Sequence, residues 1–153
     1  MKPASWKFWL LPMLVLAFIW GNSILSPEQS SAMSDAVKAL LVRVFPFLES
    51  EDTAVSGSFL VRKAAHLTEY MVLGFCIGTL TLKSGWRYAP FVGCACCLIA
   101  ADIDETIQIF SGRGSAVRDV WIDFAGTLVG VLLAWLLLRR RQNRNASHGK
   151  DGQ

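Results

Sequence analysis

The stretch Ala101–Gly130, AADIDETIQIFSGRGSAVRDVWIDFAGTLVG, constrains the fold more than any other. It puts Asp102, Asp104, Glu105 and Gln108 at the end of one apolar segment. Asp119 and Asp123 open the next, with Arg113 and Arg118 in the link between. An ionised side chain at the centre of a membrane helix costs about 2.5–3.5 kcal/mol on insertion scales. A chain that keeps so many charges at two neighbouring segment ends has a use for them, and the other segments must bring matching groups to the same level.

Composition agrees with a membrane setting. Hydrophobic residues make up 53% of the 153 residues and charged ones 18%, against about 25% charged in an ordinary soluble domain. The net charge of +3 is modest and the basic residues gather at the tail, which excludes a nucleic-acid surface as the expected role. Cys76, Cys94, Cys96 and Cys97 all lie inside apolar segments and read as small buried thiols, not as a disulfide framework.

Four apolar segments predict four spans. The first, Trp6–Trp20, follows Lys2 and contains Lys7. A basic start before an apolar run also describes a signal peptide, but no small-x-small cleavage site follows, so an uncleaved span is expected. Asn22–Gly57 is the longest stretch outside the spans. Within it Ser34 is expected to cap a short amphipathic helix ended by Pro46, lying in the interface, before an acidic patch of Glu49, Glu51 and Asp52. Ser58–Leu82 (with Ser56 or Ser58 as N-cap), Tyr88–Phe110 and Asp119–Leu138 are the remaining spans. The fold class expected is therefore an all-α membrane protein, a bundle of four transmembrane helices with one interfacial helix between spans one and two. Residues 1–138 form the membrane domain and 139–153 a basic polar tail. The Arg139–Arg141 run fixes the C-terminus in the cytoplasm, and four spans then place the N-terminus there too. The location expected is the cytoplasmic (inner) membrane, crossed several times.

That topology gathers polar groups on the outer side. Arg62, Lys63, His66, Glu69 and Tyr70 open span two, Asp104, Glu105 and Gln108 close span three, and Asp119 and Asp123 open span four. Asn22 and Ser23 finish span one at the same level. At 100° per residue Arg62, His66, Glu69 and Leu73 share one stripe, as do Asp119, Asp123, Gly126 and Gly130. The two glycines leave a groove that admits another helix closely. Arg62, Lys63 and Arg113 lie where the positive-inside rule disfavours them, which suits pairing with the carboxylates or binding an anion. The SGRGS turn adds backbone N–H groups before a helix start, a favourable place for negative charge.

RKAAHLTEYMVLG followed by DETIQIFSGRGSAVRDVWIDFAGTLVG, with the Ser-rich NSILSPEQSSAMS after the first span, resembles the VanZ-like family of small bacterial membrane proteins. The likeness covers all but the tail. It implies a four-helix protein of the cell envelope, and the family's founding member gives low-level resistance to the glycopeptide teicoplanin. The positions matching the family's polar motif are Lys63, His66, Glu69, Tyr70, Asp104, Glu105, Gln108, Arg113, Asp119 and Gly126. Asp123 departs from the family's usual Asn and adds a charge.

Two functions follow. In the first, the protein recognises a membrane lipid or lipid-linked anionic ligand in an outward pocket, through Arg62, Lys63, Tyr70, Asp104, Gln108, Arg113 and Asp123. In the second, it is an intramembrane hydrolase or transferase of a phosphate or ester. His66 is then acid or base, Glu105 or Asp119 its partner, and Glu69 a further catalytic carboxylate. Its weakness is the lack of a persuasive nucleophile, since Ser23 and Ser26 read as helix caps. A bland alternative has the same acids simply neutralising Arg113, Arg118 and Lys63. A metal held by His66, Glu69, Glu105 and Asp119 is conceivable, but no HExxH-type pair exists, and neither metal nor other cofactor is expected. Oligomeric state is left open.

Overall fold

Among the described residues every element is a helix. The computed structural model describes residues 7–44, 54–85, 87–113 and 117–148. Among them lie α1 (Lys7–Ser23), α2 (Pro27–Val44), α3 (Ala54–Lys83), α4 (Ala89–Phe110) and α5 (Val117–His148). Pro46, the acidic patch at Glu49–Asp52, and Gly114 and Ser115 lie outside the described residues.

α2 starts seven residues earlier than Ser34. The sequence SPEQ forms a capping box: Gln29 N–H donates to Ser26 Oγ at 3.4 Å and Ser26 N–H to Gln29 Oε1 at 3.1 Å, with Pro27 in the first helical position. Ser26 Oγ also donates to Glu28 at 2.7 Å, holding that carboxyl below its ordinary pKa. Ser34 sits mid-helix, its hydroxyl on the Ser30 carbonyl at 2.9 Å. α3 likewise begins at Ala54, so Ser56 and Ser58 fall inside its first turns instead of capping it. α4 has Pro90 in its first turn, as the sequence suggests. It ends in a Schellman motif. Gly112, at φ 74°, donates to Ile109 O at 3.1 Å, and Arg113 N–H donates to Gln108 O at 3.0 Å. α5 continues past Leu138 through the arginine run, so the basic segment is helical as far as His148.

The helices pack as two pairs running in opposite directions. Trp20 Nε1 donates to Ala100 O at 3.3 Å and Ser111 Oγ to Ser23 O at 2.8 Å, which sets α1 alongside α4 in the same direction. α3 and α5 run the other way, joined along a glycine seam. A Cβ on Gly74 would lie 2.8 Å from Thr127 Cα, one on Gly126 3.2 Å from Met71 N, and one on Gly130 2.6 Å from Phe75 N. Neighbours at such distances are backbone, so only glycine permits the approach. The groove expected from Gly126 and Gly130 is filled by α3, and α3 answers with its own small pair, Gly74 and Gly78. On α4 the buried stripe Gly93, Cys97, Ala100, Ala101 does the same with small side chains and leads directly to Asp104 and Gln108. All four cysteines are free.

The distribution of polarity is inverted relative to a soluble protein. Phe91, Ile99, Phe110, Trp121 and Leu132 are exposed, while Ser23, Asp104, Asp123 and Thr127 have no accessible surface. Such an apolar exterior belongs in lipid, not water. α2 shares the pattern: Met33, Val37, Leu40 and Leu41 point outward, while Ser30 and Ser34 are buried. α3 over Leu60–Lys83 and α5 over Val117–Arg144 are long and apolar enough to cross a bilayer. α1 and α2, bent by 111° at their junction, count as a third such unit if taken together. The expected four spans thus meet two difficulties. α1 has 17 residues, about 26 Å of helix against a hydrocarbon core of about 30 Å. α4 carries three carboxylates within its 22 residues.

Candidate functional site

The end of α1, the first half of α3, the last turns of α4 and the start of α5 meet at one level. Each contributes polar side chains for a local reason. On α3, Arg62, His66 and Glu69 recur at four- and three-residue spacing and are half-buried, and Tyr70 beside them is buried. On α4, Asp104, Glu105 and Gln108 are buried, whereas Asp102 points outward. On α5, Asp123 is buried one turn beyond Asp119. Arg118, expected among the neutralising cations, is exposed.

The Schellman turn positions Arg113. Because Gly112 adopts a left-handed conformation, the chain folds back over the end of α4, and Arg113 becomes buried with Nη1 donating to Asn22 O at 3.0 Å. Burial, together with the nearby Arg62, lowers its pKa from the ordinary guanidinium value. The N–H groups of Gly112 and Arg113 are consumed by the motif, so the expected use of this turn's described amides for an anion does not hold. Positive charge there comes from the Arg113 side chain. Arg62 reaches across to α2, with Nη2 on Ser31 Oγ at 3.3 Å.

Pairing within the site differs from the sequence expectation. Asp119 forms an ion pair with Lys63 and not with His66. Glu69 accepts from Asn22 Nδ2 at 2.8 Å, tying α3 to the end of α1. His66 instead faces Asp104 and Asp123, its Nδ1 lying 3.7 Å from Asp104 Oδ2 and 3.6 Å from Asp123 Oδ1. Gln108 Nε2 donates to Asp104 Oδ2 at 3.0 Å. The group able to hold a metal is accordingly His66, Asp104 and Asp123, not His66 with Glu69, Glu105 and Asp119. Tyr70 has no accessible surface and lies within electrostatic reach of both aspartates.

Two cavities adjoin at Glu69. One, of about 80 Å³, is lined mostly by polar residues, Asn22, Ser30, Arg62, His66, Glu69 and Arg113 among them, with Leu25 and Met33 beside them. The second, of about 400 Å³, lies between α1 and α3 and is lined by Leu14, Val15, Phe18, Thr68, Glu69 and Val72.

This arrangement sits within a recognisable sequence frame. The VanZ/LLP1 family model matches residues 8–138 of the 153. The chain belongs to the VanZ/LLP1 family. Neither a curated protein nor a solved structure matches it. VanZ/LLP1 membership and the long apolar helices together make this a membrane protein. The family match stops at Leu138, although α5 runs on as one helix.

Asn22, Ser31 and the Gly74–Gly78 pair take parts that sequence reasoning assigned only loosely or not at all. The sequence puts Asn22 at this level and names no partner for it. GFCIG repeats the small-xxx-small spacing of GTLVG and is the signal that α3 offers. For Ser31 the signal is only its place in the Ser-rich segment NSILSPEQSSAMS, which names no partner.

Proposed function

We propose that this VanZ/LLP1 protein crosses the bacterial cytoplasmic membrane four times, with both termini inside. In this reading it binds an anionic, phosphate-bearing lipid of the cell envelope from the outer side. The observation that carries the reading is the junction at Glu69, where a small cavity flanked by two guanidiniums adjoins a larger apolar groove. A volume near 80 Å³ equals about two to three water molecules, the scale of one phosphate. Arg62 and Arg113 supply forked donors matched to its oxygens. The groove between α1 and α3 offers an acyl or polyprenyl chain an apolar seat open to the bilayer. The bend between α1 and α2, and a Ser-lined inner face on α2, suit an interfacial position for that helix. The Arg139–Arg141 run supports the orientation.

The test uses purified protein in nanodiscs with a polyprenyl phosphate or phosphatidylglycerol, and phosphatidylcholine as the control. Wild type is expected to prefer the phosphate-exposed lipids, and Arg113→Ala to weaken binding at least tenfold while melting as a folded protein. Unchanged binding in Arg113→Ala overturns the reading. The family resemblance extends it to glycopeptide response: expression of the chain is expected to raise the teicoplanin concentration that stops growth, and Arg113→Ala to abolish the increase.

A second reading, hydrolysis of a phosphate or ester, draws support from His66, which lines the polar cavity with two carboxylates behind it. In that reading Asp104 and Asp123 replace Glu105 and Asp119 as partners of His66. Phosphate release from lipid phosphates faster than in His66→Ala supports it; equal rates remove it.

A further inference from the structure

We propose that His66, Asp104 and Asp123 form a binding site for one divalent first-row cation, Zn²⁺ or Mn²⁺. The three residues come from α3, α4 and α5, and one ligand atom from each lies within 4.8 Å of the others. Separations of 3.6 and 3.7 Å between His66 Nδ1 and the aspartate oxygens are too long for hydrogen bonds. They are close to what a shared ion requires, since donors bound at about 2.0–2.2 Å around a tetrahedral centre stand about 3.3–3.6 Å apart.

Burial supplies the second, independent observation. Asp104 and Asp123 have no accessible surface, yet both Asp123 oxygens and His66 Nδ1 have no hydrogen-bond partner among the described residues, while Asp104 has the Ser23 hydroxyl and Gln108 beside it. Buried polar atoms left this way are costly, and buried carboxylates more so. Lys63 pairs with Asp119, and the bonds that Arg62 and Arg113 make go to the neutral Ser31 hydroxyl and Asn22 carbonyl, so no described lysine or arginine donates to Asp104 or Asp123. A dication bound by two carboxylates and a neutral imidazole makes an electrically neutral unit, which a bundle interior tolerates. Gln108 already orients Asp104, in the manner of an outer-shell support to a metal ligand. One nitrogen and two carboxylate ligands suit Zn²⁺ or Mn²⁺ better than Ca²⁺, which takes six to eight oxygens. His66 also lines the cavity that holds Arg62 and Arg113, so the site borders that cavity through its imidazole.

The proposal does not depend on lipid binding and is tested without phospholipid. Full-length protein in detergent is stripped with a chelator, then titrated with Zn²⁺ and with Mn²⁺, following heat and bound metal per chain. Wild type is expected to take up one ion per chain of at least one of the two metals and to melt at a higher temperature with it. Asp123→Asn and His66→Gln are expected to weaken uptake at least 100-fold and to lose the melting shift, while Asp102→Asn, altered on the exposed side of α4, behaves as wild type. The metal-free melting of Asp123→Asn serves as the folding control, because this variant removes a buried charge without changing shape; if it does not fold, His66→Gln decides. Substoichiometric uptake of both metals by wild type, or wild-type uptake by a folded variant, overturns the proposal. Either result leaves the anionic-lipid reading standing.

Discussion

Replacing Gly130 by alanine tests the seam on which the chamber rests. The added Cβ would stand 2.6 Å from Phe75 N and 3.0 Å from Gly74 C, and would press on the Met71 carbonyl as well. Ordinary contact for such atoms begins near 3.4 Å, so α5 must retreat from α3 by a good part of 1 Å. All three neighbours are backbone, so no side chain can rotate away. A gap of 0.5–1 Å forfeits about a quarter to a half of each dispersion contact along the seam. Overpacking a tight interior costs about 1–3 kcal/mol, and a rigid backbone seam belongs at the upper end. Gly130→Ala is therefore expected to destabilise by about 2–3 kcal/mol, measured by unfolding in mixed micelles of rising denaturing-detergent fraction. Gly21→Ala is the control, because nothing lies within 4 Å of its would-be Cβ. As a helical glycine it should gain up to about 0.5–1 kcal/mol. A Gly130→Ala protein as stable as wild type would refute the close approach of α3 and α5.

Three further outcomes are expected. Ser26→Ala removes the capping box of α2 and should cost about 0.5–2 kcal/mol, seen as faster amide exchange confined to the first turn of that helix. Gly112→Ala meets no atom within 4 Å but holds φ at 74°, so its penalty of about 1–2 kcal/mol is conformational; by displacing Arg113 it should also weaken phosphate-lipid binding, where Gly112→Asn does so less. In a background with the native cysteines replaced, a cysteine introduced at Ser111 should react with an impermeant thiol reagent in intact cells, and one at Asn143 only after lysis; the reverse pattern overturns the proposed orientation.

Much of the architecture was readable from residue order because helices keep a fixed angular step. That step puts Arg62, His66 and Glu69 on one face, and Asp104 with Gln108 on another, before any packing is known. It names the faces that meet but not the partners. Asp119 and Asp123 lie one turn apart on α5, so phase alone cannot decide which reaches His66; the offset between α3 and α5, set by Gly74, Gly126 and Gly130, gives Lys63 to Asp119 and His66 to Asp123. The start of α2 is legible in SPEQ, whose capping box precedes the Ser34 expected to cap the helix. Arg113 is recognisable in the sequence as one of several outer cations, with Arg62, Lys63 and Arg118. Its burial depended on a left-handed glycine that converts a turn into a lever.

The glycine seam divides the bundle by compliance. With backbone resting on backbone, α3 and α5 have no side-chain cushion to deform and behave as one beam carrying Lys63, His66, Asp119 and Asp123. α1 is tied to α3 by the Asn22–Glu69 bond, and α2 by the Arg62–Ser31 bond, both made by side chains able to swing. The beam therefore holds His66 and Asp123 at a fixed register, while the contacts that α1 and α2 make with it rest on side chains.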